Sequence, residues 1–246
     1  MSVVAIIPAR YGSTRFPGKP LALLRNKPMI QHVYERTCLV RGLDRVLVAT
    51  DDQRIAQTVE DFGGEVTMTS STHPTGTDRL AEAAQPLHAD VIVNVQGDLP
   101  FFPPRMVEDA VASLHETSDA SMATVKTPIH TEKELSNPNV VKVVTDQKGF
   151  ALYFSRSPIP FSRDQRPLSQ GHPEVLAYRH IGLYVYRKDF LLAFTRLPPT
   201  PLEKLEKLEQ LRALEWGYRI NVTETERPTI EVDTPEDLAR AEEALQ

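Results

Sequence analysis

The 246-residue chain has little of several features that define a protein's class. Its one cysteine, Cys38, allows no intrachain disulfide and no cysteine-based zinc cluster, and its helical context predicts a small apolar core residue. No stretch reaches the roughly 18 consecutive apolar residues of a membrane-spanning helix. The formal net charge of -5 lacks the basic excess of a nucleic-acid binder. We therefore expect a cytoplasmic protein whose partners include neither a membrane nor a nucleic acid.

Familiar nucleotide-binding and nucleophile motifs are also missing. The sequence contains no G-x-G-x-x-G, and the five residues between Gly12 and Gly18 do not fit the spacing of a P-loop. Lys19 is followed by Pro20 where a P-loop has Ser or Thr. No Ser/His/Asp or Cys/His spacing stands out, so the sequence does not indicate covalent catalysis by a side chain.

The most informative stretch that is present is a basic loop, which reads IIPARYGSTRFPGKPL at 6–21. It follows an apolar run, Val3–Ile7, that predicts a buried strand. The loop carries Arg10, Arg15 and Lys19 and no acid. Glycines allow close backbone approach, Arg and Lys complement phosphate oxygens, and α/β sheets bind anionic ligands after their first strand. We predict a cradle for a polyphosphate; the alternative is a basic surface loop.

The order of predicted elements indicates an α/β fold. In residues 1–119, short apolar runs alternate with helical segments, and such β-α-β crossovers imply a mostly parallel sheet. In residues 120–225, strands follow one another, with a hairpin around Asp146–Gly149, which indicates an antiparallel extension and a small lobe. The leucines at 202, 205, 208 and 211 predict one helix, and most of its glutamates at 203, 206 and 209 are expected to face solvent. We expect one domain, which ends in residues 226–246 with a helix started by Pro235.

Two aspartates are candidates for holding a metal ion. Asp98 follows the apolar strand 91–95 through a glycine turn, which would place its carboxylate beside the basic loop. Asp233 precedes the last helix and is either a second ligand or an ordinary helix-flanking residue. Asp51 is expected to cap a helix. Because Mg²⁺ prefers one or two carboxylates plus phosphate oxygens, the pattern predicts metal-assisted phosphoryl transfer.

The sequence leaves the roles of two further residues open. Arg79 opens a predicted helix and is either a surface charge beside Asp78 or a ligand-binding residue. His180 lies within a predicted strand and is either structural or functional.

These stretches, taken together and in order, resemble the family of 3-deoxy-manno-octulosonate cytidylyltransferases, or CMP-Kdo synthetases. The long opening motif is far more specific than a single glycine-rich pattern, and the resemblance covers nearly the whole chain. The matching segments are IIPARYGSTRFPGKPL at 6–21, NKPMIQHVYER at 26–36, VATDD at 48–52, GGEVTMT at 63–69, TGTDRLAE at 75–82, VIVNVQGD at 91–98, NPNVVKVV at 137–144, ALYFSRSPIPF at 151–161, RHIGLYVYR at 179–187, PLEKLEKLEQLRALE at 201–215 and VDTPEDL at 232–238.

The resemblance implies a nucleotide-diphospho-sugar transferase fold, a Mg²⁺ cofactor and a homodimer. It implies the reaction CTP + Kdo → CMP-Kdo + diphosphate, which activates a 3-deoxy-2-keto sugar acid for lipopolysaccharide biosynthesis. Residues 1–119 would then bind the nucleotide, residues 120–225 would bind the sugar and form the dimer, and residues 226–246 would supply a metal ligand.

The family's site residues transfer by position onto this sequence. Lys19, Arg10 and Asp98 would be catalytic, and Asp98 and Asp233 would hold the metal. The nucleotide would be bound by Pro8, Ala9, Arg10, Arg15, Lys19, Thr75, Gly76, Arg79 and Gln96. The sugar acid would be bound by Arg79, Gln96, Arg156, His180, Tyr184, Glu209 and Gln210.

The sequence departs from the family's pattern in two places. Leu99 stands where the family usually has Glu after Gln-Gly-Asp, and residues 227–231 stand where many members have a glycine-rich stretch. The alternatives are therefore the same chemistry on 8-amino-Kdo or on a sialic-acid-like sugar. An alternative from another class is a non-catalytic nucleotide-binding module.

Overall fold

The computed structural model describes residues 1–12, 16–163, 177–226 and 229–243. Within it the chain divides into two compact units. Unit 1 comprises Met1–Glu108, Tyr186–Thr195 and Thr229–Gln246, and unit 2 comprises Asp109–Val185 and Arg196–Pro228. None of the helices in the described parts is both long enough and apolar enough to span a membrane.

The described strands and helices alternate along most of the chain. The strands are β1 (Val3–Ala9), β2 (Leu23–Leu24), β3 (Lys27–Pro28), β4 (Arg45–Thr50), β5 (Val66–Met68), β6 (Val91–Asn94), β7 (Met122–Pro128), β8 (Lys142–Thr145), β9 (Ala151–Ser155), β10 (Tyr178–Arg187) and β11 (Ile220–Glu224). The helices are α1 (Met29–Cys38), α2 (Gln53–Asp61), α3 (Gly76–Ala84), α4 (Pro104–Glu116), α5 (Glu132–Ser136), α6 (Lys188–Phe194), α7 (Pro201–Glu206), α8 (Gln210–Glu215) and α9 (Pro235–Glu243).

The parallel sheet predicted for the N-terminal half is confirmed in unit 1. Strand β1 lies between β4 and β6, β5 extends the sheet beyond β4, and all three pairings are parallel. The apolar runs of β1 and β6 are almost completely buried, as expected for strands covered on both faces. Because the strands are parallel, the loops after Ala9, Thr50 and Asn94 leave the same edge of the sheet.

Short polar side chains begin two helices of unit 1, α2 and α3. The Asp52 carboxylate accepts the Arg54 amide at 2.9 Å and caps α2, and the Thr75 hydroxyl accepts the Asp78 amide at 3.1 Å and caps α3. The prediction that Asp51 is a cap was therefore wrong, because the helix begins one residue later. Cys38 was also placed wrongly in the core: it is exposed at the end of α1.

The C-terminal helix α9 begins as predicted, after Thr234 and at Pro235. The Asp237 carboxylate accepts the amides of Asp233 and Thr234 at 3.1 and 2.9 Å, and the Thr234 hydroxyl accepts the Asp237 amide at 3.2 Å. Val232, just before this turn, packs in a buried cluster with Leu24 and Met29. This apolar anchor and the capping bonds hold the backbone at Asp233 in place.

Unit 2 contains the predicted antiparallel strands. β8 and β9 form the hairpin around Asp146–Gly149, where Gly149 has a φ of 80° that favours glycine, and β10 pairs antiparallel with β8. β11 is an exception to the antiparallel pattern predicted for this half, because it runs parallel to β7. The long segment between these two strands lets the chain return in the same direction.

The single helix predicted from the leucine repeat is two helices, α7 and α8. Lys207 adopts a φ of 55° and a ψ of 45°, a left-handed conformation that ends α7. Leu205 is consequently 80% exposed, whereas Leu208 and Leu211 are buried. The glutamates predicted to face solvent are instead bonded: Glu203 accepts from Arg212 at 2.8 Å and Glu206 accepts from Ser155 at 2.6 Å.

Candidate active site

The centre of the site in unit 1 is a lysine between two carboxylates. The Lys19 ammonium lies 3.3 Å from an Asp98 oxygen and 3.2 Å from an Asp233 oxygen. The three side chains are 16%, 29% and 33% exposed, so the cluster is partly withdrawn from water but remains open to a ligand. Three residues that are far apart in the sequence therefore meet at one point.

Three different elements position these side chains. Lys19 begins a short 3₁₀ helix, and the Gly18 amide before it donates to the Tyr11 carbonyl at 2.9 Å. Asp98 follows β6, and its carbonyl accepts the Val232 amide at 2.9 Å. This backbone bond ties the loop after β6 to the segment that carries Asp233.

The basic loop is braced by stacked side chains. The Arg54 guanidinium lies 3.5 Å from the centre of the Tyr11 ring, which favours a cation–π contact. Gly18 has a φ of 71°, and a Cβ built on it would lie 3.1 Å from the Tyr11 ring. A glycine is therefore required where the loop turns toward Lys19.

The donor set around Lys19 suits a divalent cation. In the described part of the chain no group of three or more His, Cys, Asp or Glu side chains could hold a metal ion. Two carboxylates that converge on one point, with further oxygens from a phosphate and water, match the preference of Mg²⁺. Asp98 and Asp233 are therefore compatible with Mg²⁺ when a nucleotide is bound.

A cavity of about 170 Å³ contains most of the residues expected to bind the nucleotide. Its walls come from the end of β1, the start of α3 and the loop after β6. The lining residues are Pro8, Ala9, Arg10, His73, Thr75, Gly76, Arg79 and Gln96. A Cβ on Gly97 would lie 3.5 Å from the Pro8 carbonyl, so the loop that leads to Asp98 passes close to this wall.

Arg79 in this cavity is held in a fixed position. It is only 5% exposed, its Nη2 lies 3.1 Å from an Asp51 oxygen, and its Nη1 donates to the Thr69 hydroxyl. The alternative that Arg79 is a surface charge beside Asp78 was therefore wrong.

The residues expected to bind the sugar acid fall in unit 2, except for Arg79 and Gln96. His180 is buried between Phe154 and Tyr184, at ring-centre distances of 4.9 and 5.4 Å, and its Nε2 lies 2.9 Å from the Thr124 hydroxyl. Burial, together with the smaller effect of the Arg179 charge, lowers the pKa of His180 to about 3, so the ring is neutral. Burial, together with the charge of Glu209, raises the pKa of Tyr184, so its hydroxyl keeps its proton.

Arg156 is bonded to the backbone around it. Its Nε donates to the Glu206 carbonyl at 2.7 Å, its Nη1 to the Pro138 carbonyl at 2.9 Å and its Nη2 to the Lys207 carbonyl at 3.4 Å. The last two residues of the predicted sugar set begin α8: Glu209 is its N-cap residue, and the following Gln210 is buried. Arg15, in contrast, lies outside the described residues.

Comparison with known proteins identifies the family. The family model described as "Cytidylyltransferase" matches residues 4–220. A protein from Syntrophotalea carbinolica named 3-deoxy-manno-octulosonate cytidylyltransferase is 59% identical over 252 residues, which cover all of this chain and 99% of the relative. One of the same name from Geobacter sulfurreducens is 57% identical over the full length of both chains. This chain belongs to the CMP-Kdo synthetase family.

A solved structure of a family member agrees with this assignment. A CMP:2-keto-3-deoxy-manno-octonic acid synthetase complexed with CTP has a TM-score of 0.92 and 42% identity, over all of this chain and 98% of that one. The predicted α/β fold with a mixed, mostly parallel sheet is thereby confirmed. A cytidylyltransferase from Leptospira borgpetersenii, 17% identical with a TM-score of 0.61, shares the fold over 98% of this chain and 85% of its own.

Sequence reasoning missed several side chains that support the site of this CMP-Kdo synthetase family member. His73 lines the cavity and bonds to Glu82, and Asp51 holds Arg79. His73 carried a signal, since it lies between the third strand and the helix that bears Arg79. Lys142 is buried in unit 2, where its Nζ donates to the carbonyls of Asn137, Val140 and Arg156 at 3.0, 2.6 and 2.6 Å. A lone lysine in the apolar run VVKVV was the available signal.

Proposed function

We propose that this protein catalyses CTP + Kdo → CMP-Kdo + diphosphate. The observation that carries the proposal is the Lys19–Asp98–Asp233 cluster in a unit that also contains a cavity lined by Arg79 and Gln96, in a chain of the CMP-Kdo synthetase family. The anomeric hydroxyl oxygen of the sugar acid forms a bond to the α-phosphorus of CTP. The bond from that phosphorus to the diphosphate oxygen breaks, and the hydroxyl proton is released.

The nucleotide occupies unit 1 in this proposal. The phosphate oxygens are bound by Arg10, Arg15 and Lys19. The electrostatic interaction of the Lys19 ammonium strengthens as negative charge develops on the leaving diphosphate. Removing one such charged donor from a preorganised site costs about 3–4 kcal/mol of transition-state stabilisation. The cavity takes the nucleoside, where Gln96 offers both a donor and an acceptor and Arg79 is a donor fixed by its own partners.

Asp98 and Asp233 hold Mg²⁺ in the proposed complex. When bound, the ion neutralises phosphate charge and stabilises the pentavalent arrangement around the reacting phosphorus. The protein supplies two carboxylates on separate, backbone-linked segments, because the Val232 amide bonds to the Asp98 carbonyl. Their spacing is thus fixed by the fold before the ligand arrives.

The sugar acid is bound by Arg156, His180, Tyr184, Glu209 and Gln210. A neutral His180 and a protonated Tyr184 are suited to hydroxyl groups, since both exchange hydrogen bonds without carrying charge. Arg156 supplies the positive charge for the carboxylate of the sugar. The backbone bonds of Arg156 hold its guanidinium in place for this contact.

Leu99 is a poor position for testing sugar preference by mutation. The residue is 2% exposed, so Leu99→Glu would bury a carboxylate and reduce stability whatever its effect on the substrate. The preference between Kdo and 8-amino-Kdo is better measured with the unaltered protein.

The test measures diphosphate release by the purified protein with CTP and Mg²⁺, in parallel with Kdo, 8-amino-Kdo and N-acetylneuraminate. We expect fastest turnover with Kdo and none when UTP replaces CTP. Turnover restricted to another sugar would contradict the assignment of Kdo, and CTP binding without turnover would favour the non-catalytic module. The homodimer and the cytoplasmic location stay predictions, of which light scattering tests the first.

A further inference from the structure

We infer that the Lys19 ammonium is an internal counter-ion that occupies the Asp98–Asp233 carboxylate pair when no metal is bound, and that it must leave before a divalent cation can bind. The inference rests on the proposed function, because it concerns the same carboxylates. It adds an exchange of partners: the lysine that gives up the carboxylates to the metal becomes available to the triphosphate.

The ammonium is shared almost equally by the two carboxylates. Its distances of 3.3 and 3.2 Å are both longer than the 2.7–2.9 Å typical of a tight charge-assisted hydrogen bond. Two carboxylates converging in a partly buried crevice repel each other, and a cation between them relieves that repulsion. A shared and loose contact of this kind offsets one of the two negative charges yet breaks readily.

A metal ion and the ammonium cannot use the carboxylates at the same time. Mg²⁺ requires oxygen ligands at about 2.0–2.1 Å in octahedral geometry, so it would occupy the space that the ammonium now fills. The two cations would also repel each other at that distance. Binding of the metal therefore requires Lys19 to move.

The structure allows the Lys19 side chain to move while its backbone stays in place. The preceding Gly18 amide is bonded to the Tyr11 carbonyl, and the Tyr11 ring is covered by Arg54. The four-carbon side chain of Lys19 rotates freely enough to redirect the ammonium. Once displaced, the ammonium remains on the basic loop, where phosphate oxygens are its natural partners.

This arrangement couples the two ligands. Mg²⁺ frees the lysine that the triphosphate needs, and the triphosphate draws away the lysine that obstructs Mg²⁺. By linkage, each ligand must strengthen binding of the other by the same factor. The coupling belongs to this chain's own residues and does not require the two ligands to touch.

The test measures Mg²⁺ binding to the full chain by titration calorimetry without nucleotide. We expect Lys19→Met, which keeps side-chain length and removes the charge, to bind Mg²⁺ about tenfold more tightly than the unaltered protein, a factor within the usual range of coupling between sites. The matched control is Arg10→Met, which removes an exposed cation from the same loop. Because exposed charges are screened by salt, its effect should stay below about threefold.

A second measurement follows the lysine itself in the unaltered protein. The side-chain ammonium signal of Lys19, observed by ¹⁵N NMR and assigned with Lys19→Gln, should shift at the same Mg²⁺ concentrations that saturate the calorimetric titration. An unshifted signal would overturn the inference, and so would equal Mg²⁺ affinity, or no binding, for both the unaltered and the Lys19→Met proteins. Turnover of the unaltered protein in the same preparation would show that the proposed function survives that result, and its absence would count against the function instead.

Discussion

Acidification should destabilise this protein through one buried histidine, His180. The residue is 7% exposed, and its Nε2 lies 2.9 Å from the Thr124 hydroxyl. That hydroxyl has a single proton, which points to the Leu183 carbonyl at 2.7 Å, so Nε2 carries the proton of the neutral ring and donates it to Thr124. A second proton on Nδ1 would place a charge in the interior beside Phe154. The geometry thus agrees with the lowered pKa.

The sign and the size of the effect follow from the two pKa values. The folded-state pKa is about 3 and the ordinary value is 6.5, so the unfolded chain binds a proton that the folded chain does not. The stabilisation by neutral His180 is complete above the ordinary pKa and is lost as the pH falls toward the folded value. Between pH 8 and pH 5 the loss amounts to about 2 kcal/mol, since each pH unit below the ordinary pKa contributes about 1.4 kcal/mol. The loss at pH 5 depends only on the ordinary pKa, because the folded value lies below 5.

The assay is urea unfolding of the unaltered protein and of His180→Gln at several pH values between 8 and 5. Glutamine keeps an N–H donor for Thr124 but does not titrate. All other titrating groups are common to both proteins, so their contributions cancel in the difference between the two unfolding free energies. We expect that difference to shrink by about 2 kcal/mol on acidification. If the unfolding free energies of the two proteins changed in parallel between pH 8 and pH 5, the reasoning would be refuted.

Three other substitutions test separate parts of the structure. Asp51→Asn should lower the unfolding free energy by about 1–3 kcal/mol, because Arg79 loses its charged partner. This loss is smaller than that for breaking a fully buried ion pair, because Asp51 is partly exposed. The same substitution should raise the KM for CTP. Lys142→Met should cost about 2–4 kcal/mol in urea unfolding, because three carbonyls lose their donor. Asp98→Asn should nearly abolish diphosphate release and leave the urea midpoint almost unchanged, because its carboxylate lies in an open crevice.

Matched controls separate these effects from general ones. Glu35→Gln removes the partner of Lys27 from an ion pair whose side chains are both nearly half exposed, and it should cost less than about 1 kcal/mol. If Asp51→Asn lowered the unfolding free energy by no more than Glu35→Gln does, burial of Arg79 would add nothing to the strength of its ion pair with Asp51. Lys142→Met would contradict our estimate if its midpoint matched that of the unaltered protein. Near-normal turnover of Asp98→Asn would rule out this residue as a metal ligand.

The sequence predicted best where one local pattern decides the outcome. The apolar runs of β1, β4 and β6 are buried on both faces, and this required the parallel sheet that their order implied. Pro235 after Thr234 marked the start of α9 by capping chemistry alone. The leucine repeat after Pro201 was misleading, because periodicity is insensitive to one residue, Lys207, that turns left-handed and ends a helix.

The sequence alone also determined the family, the α/β class and the chemical types available to the site, since basic loops, strand-end acids and long motifs are local properties of the chain. Only the tertiary structure decided which groups meet. Lys19 and Asp233 are separated by most of the chain, yet their side chains are in direct contact. A backbone hydrogen bond between the loop after β6 and the segment before α9 holds Asp233 in position for this contact. Likewise, only the fold decided that Arg79 is buried against Asp51 and that Lys142 is enclosed by carbonyls. Charge and burial depend on neighbours in space, and no spacing along the chain specifies those neighbours.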